Sequence, residues 1–330
     1  MIMKISFSFF TVLFLISLIS AISAEAGSFT ILTPRDGSFV ESDSINLVVR
    51  IEGNRIDDIR VMVGKKRQDL TRKPTDKFYV CFDGIRLSPG INQVRVTGLK
   101  DGKKVEESSY SIFFRSDLSA EANSAPAGYA RYYFHTRDNE KECASCHQLD
   151  FSKAPENPPS PEQSPCFVCH KKMLRDYRQA HGPAAVWSCT ICHDVRSASR
   201  KLGVLQPDEK TCRGCHENAW QTKKYQHGPT AAGNCTACHN PHAADEPYFL
   251  RLKTADLCVA CHEDTASRPH VISGFSGYAG HPVRRSPDPF NPGRDFTCAS
   301  CHNPHASDYS VLLNSDNSSM SQFCQSCHKM

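Results

Sequence analysis

The pattern C-x-x-C-H occurs eight times between Cys143 and His328 and uses sixteen of the seventeen cysteines in this 330-residue chain. The first six copies begin 23 residues apart, and the last two follow after steps of 40 and 26 residues. Two thiols followed at once by an imidazole are typical of covalent haem attachment, in which the histidine binds the iron. The sequence therefore predicts eight c-type haems.

Each motif supplies two thioether cysteines and one proximal iron ligand. The predicted thioether cysteines are Cys143, Cys146, Cys166, Cys169, Cys189, Cys192, Cys212, Cys215, Cys235, Cys238, Cys258, Cys261, Cys298, Cys301, Cys324 and Cys327. The predicted proximal ligands are His147, His170, His193, His216, His239, His262, His302 and His328.

Two other uses of paired cysteines remain open. Zinc ribbons and thioredoxin-like redox sites also contain C-x-x-C, although eight copies each closed by histidine disfavour them. A disulfide framework is possible in an exported protein, but it does not require a histidine after every second cysteine.

The chain from about residue 130 onward is rich in Cys, His, Pro, Ala and Asn and poor in long apolar runs. Polypeptide alone cannot build its core, so we expect folding of this part to be coupled to haem attachment. The formal net charge is +4, but haem propionates make the holoprotein more acidic. We therefore expect no nucleic-acid partner.

Residues 1–24 predict a cleaved secretory signal. Lys4 precedes an apolar run from Ile5 to Ile22, and small residues predict cleavage after Ala24 or Ala26. A retained membrane anchor is the alternative, because the apolar run approaches the length of a bilayer span. Haem attachment takes place outside the cytoplasm, so both features favour a periplasmic or extracellular protein.

Residues 27–116 have a different pattern, with apolar side chains at every second position. Ile45, Leu47 and Val49 are one example, and turn residues separate such runs. About seven short strands of this kind predict an antiparallel β-sandwich. Residues 117–130 predict a linker to a haem domain over 131–330.

The stretch Ile31-Leu32-Thr33-Pro34-Arg35-Asp36-Gly37-Ser38, with Leu87-Ser88-Pro89-Gly90-Ile91-Asn92, resembles bacterial immunoglobulin-like and cadherin-like modules. The resemblance implies an adhesive or spacer role, with surface or protein contact through this domain. Cys81, the seventeenth cysteine, is expected to pack half-buried in a strand. An intermolecular disulfide is the alternative for this residue.

Histidines outside the motifs reveal a longer period. His135, His181 and His227 are 46 residues apart, and each stands eight residues before a motif cysteine. His281 opens a fourth unit, in which the gap to Cys298 grows to 17 residues. Two motifs therefore make one unit, and the chain has four units.

In units 3 and 4 the histidine of the first motif begins a His-Asn-Pro-His sequence, which is His239-Asn240-Pro241-His242 in unit 3 and His302-Asn303-Pro304-His305 in unit 4. With the paired motifs, they resemble the doubled C-x-x-C-H family of multihaem cytochromes c. The resemblance implies haem-to-haem electron transfer in a fold of short helices and loops, with redox partner proteins or extracellular acceptors. Units 1 and 2 depart from it, because neither has the second histidine.

Seven further histidines are candidate distal iron ligands: His135, His181, His227, His242, His270, His281 and His305. His242 and His305 lie three residues after a proximal histidine and cannot comfortably reach the far face of the same haem. We expect each to bind a different haem. Eight irons face seven histidines, and Met173, three residues after His170, is the predicted eighth ligand.

Histidine on both faces leaves no open iron position for a substrate, which favours an electron carrier over an enzyme. The alternative is an octahaem reductase of a small nitrogen or sulfur oxyanion, which needs an open iron beside acidic or cationic groups. A third possibility is haem storage or scaffolding. Self-assembly is compatible with each of them.

Overall fold

Alternating apolar side chains in the first third of the chain form two β-sheets. Along β3 (Ser44–Ile51) every second side chain is buried, which is the pattern of a strand with one face in a core. The other strands are β1 (Phe29–Thr33), β2 (Ser38–Val40), β4 (Asp58–Val63), β5 (Lys66–Arg72), β6 (Tyr79–Arg86), β7 (Gly90–Lys100), β8 (Lys103–Phe114) and β9 (Ala130–Arg131).

The computed structural model describes residues 28–64, 66–72, 78–196, 201–204, 207–216, 219–267, 281, 283, 287–289, 291–314 and 319–328. The predicted signal segment 1–24 and the candidate ligand His270 lie outside these residues.

The smaller sheet has the strand order β1-β3-β6, and the larger has the order β5-β4-β7-β8-β2-β9. Pairing is antiparallel except that β2 runs parallel to both β8 and β9. Leu47 and Val49 from the smaller sheet meet Val94, Val96 and Ile112 from the larger, and all five are fully buried. Each such side chain contributes about 1.5–3 kcal/mol, so the two sheets have a core of their own.

The predicted linker 117–130 differs from expectation. Its last residue begins β9, and Ala122 is buried with its carbonyl accepting from the backbone N–H of Ser116 at 2.9 Å. Tyr132 packs against the sandwich core, and its backbone N–H donates to the carbonyl of Phe39 at 2.9 Å. The segment is held on the sandwich because backbone groups of β2 pair with it.

Short helices and turns make up the rest of the described chain. The α-helices are α1 (Arg137–Glu140), α2 (Phe167–His170), α3 (Lys172–Arg175), α4 (Gly182–Ala185), α5 (Asp208–Arg213), α6 (Gly228–Ala231), α7 (Thr254–Val259), α8 (Asp264–Ser267), α9 (Cys298–Cys301) and α10 (Met320–Gln325). Single 3₁₀ turns cover Pro161–Gln163, Cys189–Ile191, Ala219–Thr222, Cys235–Ala237, Pro247–Phe249 and Ser310–Leu312.

Four two-residue strands join distant parts of this region: β10 (Gln179–Ala180), β11 (Tyr225–Gln226), β12 (Ala243–Ala244) and β13 (Ala306–Ser307). The predicted change from a β-rich first part to short helices and loops is confirmed. In the part of the chain that the structure describes, no helix has the length and apolar character to cross a membrane.

Candidate haem-binding sites

One continuous cavity of about 4200 Å³ runs through the region of short helices. All sixteen motif cysteines and all eight motif histidines line it. We number the motifs as sites 1 to 8 in chain order, with His147 in site 1 and His328 in site 8. The cavity therefore has the continuity and the lining that a row of covalently attached haems requires.

Each motif is one helical turn. In all eight motifs the backbone N–H of the histidine donates to the backbone carbonyl of the first cysteine, with donor–acceptor distances of 2.9–3.0 Å. Residues three and four positions apart lie on one face of such a turn. The two thiols and the imidazole consequently face the cavity together, which is why the chemistry needs this spacing.

The histidines meet in pairs whose ring centroids are 5.9–6.3 Å apart. Two bonds of about 2.0–2.1 Å from nitrogen to a metal, plus two ring radii, give a separation of about 6 Å. The six pairs are His135–His170, His181–His216, His193–His242, His227–His262, His239–His305 and His281–His328. Their geometry fits one iron between each two rings.

The pairs follow two rules. The histidine that opens a unit faces the proximal histidine of the second site in the same unit, as His181 faces His216. The histidine three residues after a proximal one faces the first site of the preceding unit, as His242 faces His193. The structure thus places His242 and His305 against sites other than their own.

Short strand pairs hold His242 and His305 against the first site of the preceding unit. β10 pairs with β12, and β11 pairs with β13. Beside these pairs the backbone N–H of His181 donates to the carbonyl of His242, and that of His227 to the carbonyl of His305, both at 2.9 Å. The distal candidates of two successive sites are therefore joined through the main chain.

Three proximal histidines have a backbone acceptor that the sequence did not reveal. Nδ1 of His193, His239 and His302 lies 2.7–2.8 Å from the carbonyl oxygen nine residues later, in Leu202, Tyr248 and Val311. These three acceptor residues have positive φ, from 52° to 61°, which is uncommon for residues other than glycine. The turn directs the carbonyl at Nδ1 and leaves Nε2 for a metal.

Burial favours the neutral form of four of these imidazoles, which is the form that binds iron. Burial lowers the pKa of His170 and of His242 to about 4. It also lowers the pKa of His135 and of His305.

Consecutive sites also meet through their thiols. A hydrogen bond between Cys166 of site 2 and Cys189 of site 3 lowers the pKa of the first thiol and raises that of the second. A hydrogen bond to Cys298 of site 7 raises the pKa of Cys258 of site 6. At these two points the second site of one unit contacts the first site of the next unit.

The remaining consecutive sites are close as well. Burial raises the pKa of Cys143, Cys192, Cys212, Cys238 and Cys301, and in each case a thiol of the next site adds to the rise. These neighbours are, in the same order, Cys169, Cys215, Cys235, Cys261 and Cys327. Thiols of these consecutive sites are therefore close enough to interact electrostatically.

The six ring pairs involve the proximal histidines of sites 2, 3, 4, 5, 6 and 8, so site 1 is not one of the paired sites. Within the described residues, no imidazole ring stacks against His147. Arg196 stands where unit 2 would supply its capping histidine, and its N–H donates to Asp194 Oδ1 at 2.8 Å. His242 makes the same turn with Asn240, at 3.1 Å.

Met173 lies on α3 and lines the cavity. Its offset from His170 is not equivalent to that of His242 from His239, because His170 belongs to the second site of a unit. Met173 as an iron ligand remains a prediction.

The smaller β-sheet lines the cavity beside sites 1 and 2. Asn46 Nδ2 donates to the carbonyl of Cys169 at 2.9 Å, and Arg50 forms an ion pair of 3.2 Å with Glu142. Cys81 is exposed on the sheet, against the expectation of a half-buried residue, and it lines the cavity near Cys143. The sandwich is thus in contact with unit 1 along the outer face of β3 and β6.

The comparisons with known proteins agree with the doubled motifs. The family model described as "Doubled CXXCH motif" matches residues 181–220, 227–267 and 289–330, which hold the motifs of units 2, 3 and 4. These motifs indicate covalent c-type haem binding at several sites. No match to a curated protein was found.

Solved structures match only part of the chain. They include an endo-β-1,4-mannanase from Thermotoga petrophila (14% identity, 29% of this chain and 21% of that chain, TM-score 0.22). Fibronectin(III)-like modules of Clostridium thermocellum CbhA also match (12% identity, 26% of this chain and 94% of that chain, TM-score 0.21). The chain spans about a fifth of the mannanase. Such low TM-scores carry no argument about this protein.

Proposed function

We propose that this chain, which its doubled CXXCH repeats identify as a c-type cytochrome with several covalently attached haems, is an exported octahaem protein that carries electrons along one row of haems. The observation that carries the proposal is the single continuous cavity that the cysteines and histidines of all eight motifs line. Each haem supplies a one-electron ferric/ferrous couple when it is bound.

The side chains of the protein perform three tasks in this proposal. The paired thiols fix each haem to a helical turn, and the two imidazoles of a pair occupy both axial positions. The strand pairs β10–β12 and β11–β13 hold neighbouring units in register. At the six paired sites, filled axial positions would exclude substrate from the iron, which favours electron transfer over catalysis.

Residues 1–24 direct export in this proposal, and C-x-x-C-H cytochromes are typically exported. The immunoglobulin-like sandwich covers the first site and offers its remaining surface to a redox partner protein or an extracellular acceptor. Anaerobic or extracellular respiration is the process that such a carrier serves.

An octahaem reductase of a small nitrogen or sulfur oxyanion is the second candidate. It is supported by site 1, where no described imidazole faces His147. An open iron at one end of the row would give a substrate a place to bind.

The first test combines mass and activity of the purified mature protein. We expect a mass increment of eight haems, transfer of electrons from an electrode to a soluble ferric chelate, and no turnover of nitrite, hydroxylamine or tetrathionate. The variant Cys212→Ser/Cys215→Ser removes site 4 and should lower the mass by one haem and slow transfer through the row.

The matched control is Cys81→Ser, which changes a cysteine outside the motifs and should retain eight haems and full transfer. A homogeneous sample with fewer than eight haems would contradict the count. Rapid turnover of an oxyanion would show that the protein is a reductase and not an electron carrier.

A further inference from the structure

A buried carboxylate lies beside one predicted iron ligand. Glu140, the last residue of α1, is 8% exposed, and its Oε1 is 2.9 Å from Nδ1 of His135. Thr136 caps this helix by accepting from the N–H of Asn139, whose side chain donates to the carbonyl of Tyr133 at 2.8 Å. The turn that carries Glu140 is therefore fixed from both ends.

Lys201 of unit 2 completes the arrangement. Its Nζ lies 2.8 and 3.0 Å from the two carboxylate oxygens of Glu140 and 2.6 Å from the carbonyl of Leu149. The ammonium group also stands 5.0 Å above the ring of Phe151. A buried carboxylate is costly without a partner, and Lys201 provides that partner while fixing the orientation of the carboxylate.

The partner of Nδ1 distinguishes His135 from the other histidines whose Nδ1 acceptor is known. His193, His239 and His302 each have a neutral backbone carbonyl there. A hydrogen bond to a charged acceptor is roughly twice as strong as one to a neutral acceptor. His135 should therefore be the more basic ligand at Nε2.

A more electron-donating ligand stabilises ferric iron relative to ferrous iron. Hydrogen bonding of this kind around the iron is one of the means by which a protein sets a haem potential. We propose that Glu140 gives His135 imidazolate character and thereby makes the haem of site 2 the lowest-potential haem of the row. The inference rests on the proposed function and on ligation of site 2 by His135 and His170.

The test is the variant Glu140→Gln in the full-length holoprotein. Glutamine keeps the size of the side chain and removes its charge, so the midpoint potential of one haem should rise. The lowest step of a spectroelectrochemical titration should move upward. The ferric low-spin EPR signal of one haem should shift toward that of a neutral bis-imidazole haem.

The matched control is Glu142→Gln, two residues further on. It removes the same charge close to site 1, but Glu142 pairs with Arg50 at 3.2 Å. We expect no EPR change and no upward movement of the lowest step. The double variant Glu140→Gln/Lys201→Met removes the buried ion pair as a whole, and it should show the same upward shift if the single variant assembles poorly.

An unchanged lowest potential and an unchanged EPR signal in both Glu140 variants would overturn the inference. An equal shift in Glu142→Gln would do the same, because it would show a general effect of charge. Haem content and electron uptake of the wild type are measured on the same preparations. If the haem content and electron uptake of the wild type are as proposed, but neither Glu140 variant changes the lowest potential or the EPR signal, then the inference about Glu140 fails and the proposed function stands.

Discussion

At the scale of single residues, the histidine three positions after a proximal one determines how units connect. His242 belongs to unit 3 by sequence and faces His193 of unit 2, with ring centroids 6.0 Å apart. Its side chain is half-buried, and Asn240 fixes the turn before it by accepting from the backbone N–H of His242 at 3.1 Å. His239 and His242, which are three residues apart in the chain, therefore serve two different sites.

The variant His242→Ala should open the iron of site 3 without affecting the thioether bonds. We expect the reduced protein to bind one more carbon monoxide per chain than the wild type, because a single axial position is vacated. His227→Ala should do the same at site 6, and the double variant should bind two more. Carbon monoxide titration at the Soret band measures the count, and an unchanged count in His242→Ala would refute its assignment.

The candidate sites can be predicted from the sequence because their determinants are local or strictly periodic. The motif is one helical turn, and the opening histidines recur at a fixed distance from a cysteine. Glu140 gave no such signal, since it is one of 35 acidic residues and its partner Lys201 lies in another unit. The sequence also gives no sign that the carbonyls of Tyr248 and Val311 are the acceptors for Nδ1 of His239 and His302, because every residue type has a backbone carbonyl.

At the scale of elements, two-residue strands hold the units together. In β12, Ala243 is fully buried and pairs with Ala180 of β10. In β13, Ala306 is 1% exposed and pairs with Gln226 of β11. Small side chains are needed here because the two backbones approach each other beside the cavity.

Ala243→Leu should therefore destabilise the connection between units 2 and 3. Overpacking of a buried position costs about 1–3 kcal/mol, and the strain should also loosen His242. Guanidinium unfolding followed at the Soret band measures the loss. Ala185→Leu, on the exposed side of α4 in unit 2, is the control, and an equal loss in both variants would remove the special role of β12.

β9 is a strand of the larger sheet that the sequence pattern does not predict. Ala130 and Arg131 have no alternating pattern, and the strand that they join, β2, lies about ninety residues earlier. Composition rich in Ala and Ser indicates a linker, but main-chain hydrogen bonds to Gly37 and Phe39 hold the segment. Such long-range pairing has no local sequence signature.

At the scale of the whole molecule, the sandwich should fold without haem, because its buried cluster draws on its own strands. We expect fragments 27–115 and 27–132 both to fold in the cytoplasm. The longer one should be more stable by about 1–3 kcal/mol, since it includes β9 and the partly buried Tyr132. Chemical denaturation followed by circular dichroism measures the difference.

The control for this comparison is Tyr132→Ala in the longer fragment, which should lose most of the added stability. A disordered fragment 27–132 would show that the sandwich depends on unit 1. Equal stability of the two fragments would show that β9 contributes nothing on its own.

If the chain is exported as proposed, the capping of one unit by the next also sets the order in which the iron ligands of a site cross the membrane. His242 follows His193 by 49 residues, and His305 follows His239 by 66. A chain that crosses the membrane with its N-terminus first delivers the thiols and the proximal histidine of sites 3 and 5 well before their second histidine. A translocation that stalls between two units therefore leaves the first site of the last delivered unit with a single imidazole, as site 3 would be before His242 arrives.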